Sequence, residues 1–234
     1  MSADAVILAA GRGERMHADA RKALLELAGR PLFVHAIEAF SLVSRVEGIV
    51  VVVHPDDLEV ARSAVAAIVP GARVVVGGAT RRDSSLAGIR AATEEIVLIH
   101  DGCRPFASPT LIERIIDEAE RHGAAVPVLP AIETLFRLDD AEHRVGEILD
   151  RGSIVRAQTP QGFRRSLILR CIEEADPEIT DDASAVIARG APVFTVSGEA
   201  TNLKVTVPED LRWAEAFAAR SSGHPAGAGE GRFA

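Results

Sequence analysis

The chain has 234 residues, of which 47% are hydrophobic and 26% charged; this fits one large or two small globular domains and excludes wholesale disorder. A net charge of −8, with 34 acidic against 26 basic side chains, argues against a general nucleic-acid binder, and one Trp with no Tyr offers little for base stacking. Two cysteines, Cys103 and Cys171, exclude a disulfide scaffold or a four-cysteine metal site.

Strands are expected at 5–10, 48–54, 72–76, 96–100, 124–129 and 193–196, all runs rich in Val, Ile, Leu and Ala. Amphipathic helices are expected between them at 31–41, 55–68, 82–93 and 109–122. Continuous rather than alternating apolar strands imply burial on both faces, and strand–helix alternation implies a mainly parallel sheet. The expected fold is a doubly wound, three-layer α/β domain. Residues 133–155 break the pattern with a polar hairpin turning near 139–143, either a solvated excursion or an arm that packs on another subunit. A C-terminal amphipathic helix carries Leu211, Trp213 and Phe217, with Trp213 expected in the core. The Gly/Ala-rich segment 221–234 reads as a disordered tail. No apolar run reaches the roughly 18 residues that span a bilayer, and no basic-then-apolar leader opens the chain. A cytoplasmic protein without a membrane partner is expected.

Chemistry-bearing residues gather after the first strand, in AAGRGERMHADARK. Ala9, Ala10, Gly11 and Gly13 let the backbone approach a ligand and present its N–H groups, as a phosphate requires. Arg12, Arg15, Arg21 and Lys22 concentrate positive charge in an otherwise acidic chain. No Lys-Ser/Thr pair ends the loop, so it is not a P-loop, and the third glycine of the dinucleotide fingerprint is missing. A tight turn with solvated basic residues remains the plain alternative. Two further stretches favour phosphate. Gly77, Gly78 and Thr80 follow a strand, with Asp83, Ser84 and Ser85 placed to cap the next helix. Asp101 and Gly102 follow the IVLIH strand, where a carboxylate serves a magnesium ion, a ribose or simply a turn. His100 reads as a buried, hydrogen-bonded histidine. Asp181 and Asp182 read as a helix N-cap pair.

LAAGRGERM with its following Lys, GGATR with Ser, IHDGCRPF, RAQTPQGF, TDDASAV and NLKVTVPEDL occur in this order. Together they resemble the 2-C-methyl-D-erythritol 4-phosphate cytidylyltransferases over about residues 4–219. The resemblance implies a Rossmann-like nucleotidyltransferase domain (1–220) with a protruding β-arm (133–155). It implies a homodimer in which each arm reaches the partner's site, and transfer of CMP from CTP to the polyol phosphate with magnesium. By the same resemblance, Arg15 and Lys22 are the catalytic cations. Arg151, Lys204, Thr134, Thr159 and Thr180 would position the substrate. Ala9, Ala10, Gly11, Gly13, Gly77, Ser84, Asp101 and Gly102 would hold the nucleotide, with Asp101 also the magnesium candidate. The chain departs from the family pattern at Arg21 and Ala23 beside Lys22, at Ala79 in place of an acidic residue, and at Gly102-Cys103. A ribitol-phosphate or other polyol-phosphate cytidylyltransferase, a sugar-1-phosphate nucleotidyltransferase and an inactive nucleotide-binding homologue stand as alternatives.

Overall fold

The structure, a computed structural model, describes residues 1–11, 24–139 and 144–222. The basic strip with Arg12, Gly13, Arg15, Arg21, Lys22 and Ala23, the tip of the hairpin and residues 223–234 lie outside the described residues.

The chain opens with β1 (Ala3–Leu8), then a small hairpin of β2 (Glu26–Leu27) and β3 (Arg30–Pro31) that leads into α1 (Leu32–Ser41). Next come β4 (Val46–Val53), α2 (Leu58–Ile68), β5 (Arg73–Val76), α3 (Arg81–Ala91) and β6 (Ile96–Asp101). After α4 (Pro109–His122) and β7 (Ala124–Pro130), the hairpin β8 (Leu135–Asp139) and β9 (Arg144–Leu149) leaves the domain. The chain returns through β10 (Val155–Ala157), β11 (Gln161–Arg164), α5 (Arg165–Glu173), α6 (Asp182–Ala188), β12 (Phe194–Ser197) and α7 (Pro208–Ser222).

The central sheet pairs β5, β4, β1 and β6 in parallel, as expected of apolar strands joined by helices. Alternate side chains feed two cores. Ala5, Ile7, Val51, Val53 and Leu98 meet α1, α2 and α4, while Val6, Val50, Val52, Val97 and Ile99 meet α3, α5 and α6. Leu98 is fully buried, so Leu98→Ala would cost about 2–5 kcal/mol.

Beyond β6 the sheet becomes mixed. Short β11 runs antiparallel between β6 and β7, and β12 pairs with β7 in parallel. β10 and β11 lie along β7 as one interrupted strand, since Ala157 pairs with Val128 and Gly162 with Ala125. The interruption, Gln158 to Pro160 with a cis Thr159–Pro160 bond, falls at the carboxyl ends of β1 and β6 where the site forms.

Several expectations change. The first strand ends at Leu8, freeing Ala9 to Gly11 as loop. The helix expected at 55–68 begins with a 3-10 turn at Pro55–Asp57, and only from Leu58 is it α-helical. The cap of α3 is Thr80, whose hydroxyl accepts from the Asp83 amide at 3.1 Å, so Asp83, Ser84 and Ser85 sit inside the helix. Trp213 is 72% exposed on α7, which packs instead through Ala214 against Leu27, Leu32 and Val205.

Candidate active site

The loops at the carboxyl end of the sheet hang from the strand ends by backbone hydrogen bonds. The Ala9 amide donates to Val52 at 2.7 Å, that of Gly77 to Val53 at 2.8 Å and that of Gly102 to Leu8 at 2.9 Å. A Cβ on Gly77 would stand 2.7 Å from Ser84 Oγ and 2.8 Å from the Ala10 Cβ; one on Gly102 would stand 3.0 Å from the Leu8 carbonyl and 3.5 Å from the Ala9 Cβ. Ala9 with Gly102, and Ala10 with Gly77 and Ser84, are therefore in close contact, and only glycine fits at 77 without displacement. Ser84 donates its hydroxyl hydrogen to the Thr80 carbonyl at 3.0 Å, which leaves that oxygen an acceptor toward a ligand. The position of a Gly11 Cβ is open space.

Asp101, at the end of β6, is buried and faces three cations. Lys204 Nζ lies 2.8 Å from its Oδ2, Arg104 Nε 3.6 Å from Oδ2 and Arg81 Nη2 3.6 Å from Oδ1. Burial alone would raise its pKa, but Lys204, Arg81 and Arg104 outweigh that and hold the carboxyl well below the usual carboxylate range. Arg81 also reaches Asp182, 2.7 Å away and fully buried at the start of α6. Burial pushes the Asp182 carboxyl up while Arg81 opposes it. Burial likewise disfavours the Arg81 charge, and Asp182 and Asp101 more than restore it. Only Asp181 acts as the N-cap of α6, accepting from the Ser184 amide at 3.3 Å, so the expected cap pair divides into a cap and a buried ion-pair partner.

Thr159 is buried in the strand interruption and is committed to the scaffold. Its hydroxyl accepts from the Asp101 amide at 3.1 Å and stands 3.0 Å from His100 Nδ1. His100 is fully buried, as expected, and burial lowers its pKa to about 4 although the Arg104 carbonyl, 3.0 Å from Nε2, supports the proton. Because that carbonyl can only accept, the neutral ring carries its hydrogen on Nε2, and Thr159 donates to Nδ1.

The structure does not gather every expected position at this point. Thr134 and Arg151 are exposed at the base of the arm, where Arg151 Nη1 donates to the Ile132 carbonyl at 2.6 Å. Among the described residues no ion pair joins Arg151 to the Asp101 cluster. Thr180 is exposed just before α6, and Ala79 is exposed in the loop before Thr80. Arg15, Lys22 and Gly13 lie outside the described residues. Sequence reasoning missed Arg81, Arg104 and Asp182 as members of the cluster. The available signals were an arginine three residues after Asp101 and a second aspartate where one cap suffices.

As a metal site the cluster offers the Asp101 carboxylate, because Asp182 is fully buried against Arg81. Among the described residues no group of three or more His, Cys, Asp or Glu side chains could hold a metal ion. That donor set suits a magnesium ion shared with substrate phosphates and is too sparse for a protein-only cage.

A family model described as 2-C-methyl-D-erythritol 4-phosphate cytidylyltransferase matches residues 3–220. The chain belongs to this family. A cytidylyltransferase of that name from Geobacillus kaustophilus is 40% identical over 225 residues, covering 94% of this chain and 98% of the relative. A bifunctional enzyme from Bradyrhizobium diazoefficiens is 41% identical, and there the match covers 93% of this chain but 56% of the relative. Among solved structures, the Anaerococcus prevotii 4-diphosphocytidyl-2C-methyl-D-erythritol synthase superposes with a TM-score of 0.82 at 30% identity, covering 94% of this chain and 96% of that one. The Thermus thermophilus cytidylyltransferase has a TM-score of 0.76 at 36% identity, covering 92% of this chain and 98% of that one. The mixed α/β sheet with helices on both faces is thus the cytidylyltransferase fold.

Proposed function

We propose that the protein transfers CMP from CTP to 2-C-methyl-D-erythritol 4-phosphate, giving 4-diphosphocytidyl-2-C-methyl-D-erythritol and pyrophosphate in non-mevalonate isoprenoid precursor biosynthesis. Membership of the cytidylyltransferase family carries this reading, and the Asp101 cluster beside the Ala10–Gly77–Ser84 wall supports it. The acceptor phosphate is already an anion, so its oxygen can attack the α-phosphorus of CTP in line without a strong general base. The barrier lies in bringing anions together and stabilising charge at the transferring phosphorus, which fixed cations achieve.

In this reading Ala9, Ala10, Gly11, Gly13, Gly77, Ser84 and Gly102 hold the nucleotide. Arg15 and Lys22 stabilise the transition state, a role assigned by the resemblance alone. Lys204, one of the three cations around Asp101, faces phosphate oxygens, while Asp101 fixes Lys204 in place. Asp101 would also contribute an oxygen to magnesium, which when bound with CTP neutralises phosphate charge and aids departure of pyrophosphate.

The arm supports an assembly in which the homodimer is the active unit. Phe136 pairs across the arm with Ile148 and Leu138 with Val145, and all four are largely exposed. The ion pairs Arg137–Glu147, at 2.9 Å, and Arg144–Asp139, at 3.1 Å, accompany them. An apolar face of this kind on a two-stranded ribbon needs a partner. A second protomer would cover it and receive Thr134 and Arg151 next to its acceptor phosphate. Thr180 would line the same pocket. Among the described residues no helix is long and apolar enough to cross a membrane. A cytoplasmic location is part of the same proposal. Pyrophosphate release with each nucleoside triphosphate and with methylerythritol or ribitol phosphate as acceptor tests this reading.

A further inference from the structure

We infer that Asn202 is a positioning residue of the site, holding Lys204 against Asp101 through a closed ring of buried hydrogen bonds. This rests on the proposed role of Lys204 in phosphate handling.

The ring joins three distant segments. His100 Nε2 donates to the Arg104 carbonyl at 3.0 Å, and Arg104 Nη1 donates to the Asn202 carbonyl at 2.8 Å. Asn202 Nδ2 donates to the Thr159 carbonyl at 2.7 Å, and the Thr159 hydroxyl closes the circuit on His100 Nδ1 at 3.0 Å. All four residues are buried, Asn202 and His100 completely. Gln158 reinforces the circuit, donating from Nε2 to the carbonyls of Glu199 at 2.9 Å and Asn202 at 3.2 Å and accepting the Glu199 amide at 3.0 Å.

Lys204 sits between two anchors of this construction. On one side is Asn202; on the other, the Val205 amide donates to the Cys103 carbonyl at 2.9 Å. The long lysine side chain has several rotatable bonds, so its place 2.8 Å from Asp101 depends on a backbone that cannot drift. The strand end that carries Asp101 belongs to the same ring, because the Asp101 amide donates to Thr159 Oγ1 at 3.1 Å. The ring therefore fixes both halves of the pair against each other. Each of the four ring residues bonds to the next, while Asn202 Oδ1 and Arg104 Nε have no hydrogen-bond partner among the described residues; coupled buried bonds stiffen one another, and loss of one donor releases the others.

A double-mutant cycle tests this. Asn202→Ala is expected to lower kcat/KM about tenfold in the wild-type background and less than about twofold in a Lys204→Ala background, because coupled residues are not additive. The isosteric Asn202→Asp should lose as much, since a carboxylate cannot donate to the Thr159 carbonyl; activity near wild type would mark a space-filling role and overturn the inference. Equal losses in both backgrounds would also overturn it. Acylation of Lys204 by an amine-reactive ester, read by peptide mass spectrometry, needs no turnover and should rise severalfold in Asn202→Ala; unchanged labelling overturns the inference. Should Asn202→Ala fail to fold, Gln158→Ala is expected to show the same non-additivity and labelling. A fully active Lys204→Ala enzyme would remove the premise, and that failure is distinguishable because labelling would still rise.

Discussion

The Lys204 ammonium stands 2.8 Å from the Asp101 carboxylate, joining a loop late in the chain to the end of the central strand β6. Arg81 and Arg104 face the same carboxylate, so cations outnumber anions around it and positive charge remains for a phosphate ligand. Lys204→Ala should lower kcat/KM roughly 100-fold, by analogy with removal of one fixed donor from a reacting oxyanion. Its melting temperature should change little, because the lysine is partly exposed. Steady-state kinetics with both substrates, beside a thermal melt, measure this; a loss below threefold would contradict the role.

Arg81, about a quarter exposed, is paired with the fully buried Asp182 at 2.7 Å. Arg81→Ala leaves the Asp182 carboxylate without its counterion and should destabilise the fold by about 3–5 kcal/mol. Arg81→Met with Asp182→Leu should recover most of that stability while activity stays low. Urea unfolding of the single and double variants separates the two effects.

His100 makes acid stability a further test. Its pKa is about 4 in the folded protein against 6.5 unexposed to that environment, so between these values the unfolded chain takes up a proton that the fold refuses. The contribution is fully present above pH 6.5 and falls by about 3 kcal/mol on acidification to pH 4. An NMR titration should find the His100 ring neutral down to about pH 5, and denaturant midpoints should fall through the same window. A ring that titrates near pH 6.5 would contradict the buried network.

The central strands were legible because burial on both faces forces unbroken apolar runs such as VVVV in β4 and IVLI in β6. Their ends were less so: Ala9 and Ala10 are as apolar as the strand before them, yet leave it to form the loop. β11 carries Gln161 and Gly162 in the middle of the sheet, a composition that local preference assigns to a turn. Gln161 is nevertheless satisfied in the interior, since its Oε1 accepts from the Ala183 amide at 3.0 Å. The site shows the same division. Motif residues such as Gly77 and Asp101 could be marked along the chain, but the meeting of Arg81 with Asp182 and of Asn202 with Thr159 depends on tertiary contacts that no spacing encodes. Trp213 misled because an amphipathic helix pattern does not say how wide its buried face is.

The arm yields a separable prediction. If the arm builds the proposed homodimer, Phe136→Asp should run as a monomer in light scattering where the unaltered chain runs as a dimer, without a lower melting temperature, because the side chain has no core of its own to lose. Arg151→Ala should raise the acceptor KM about tenfold or more while CTP binding, measured calorimetrically, stays within twofold. A fully active monomer at assay concentration would exclude an arm that completes the partner's site.

The most direct test is pyrophosphate release with magnesium and CTP, comparing 2-C-methyl-D-erythritol 4-phosphate with ribitol 5-phosphate, and CTP with ATP, GTP and UTP. Turnover confined to CTP and methylerythritol phosphate is the expected result. Turnover only with ribitol phosphate, or none with any pair, would contradict the proposed reaction.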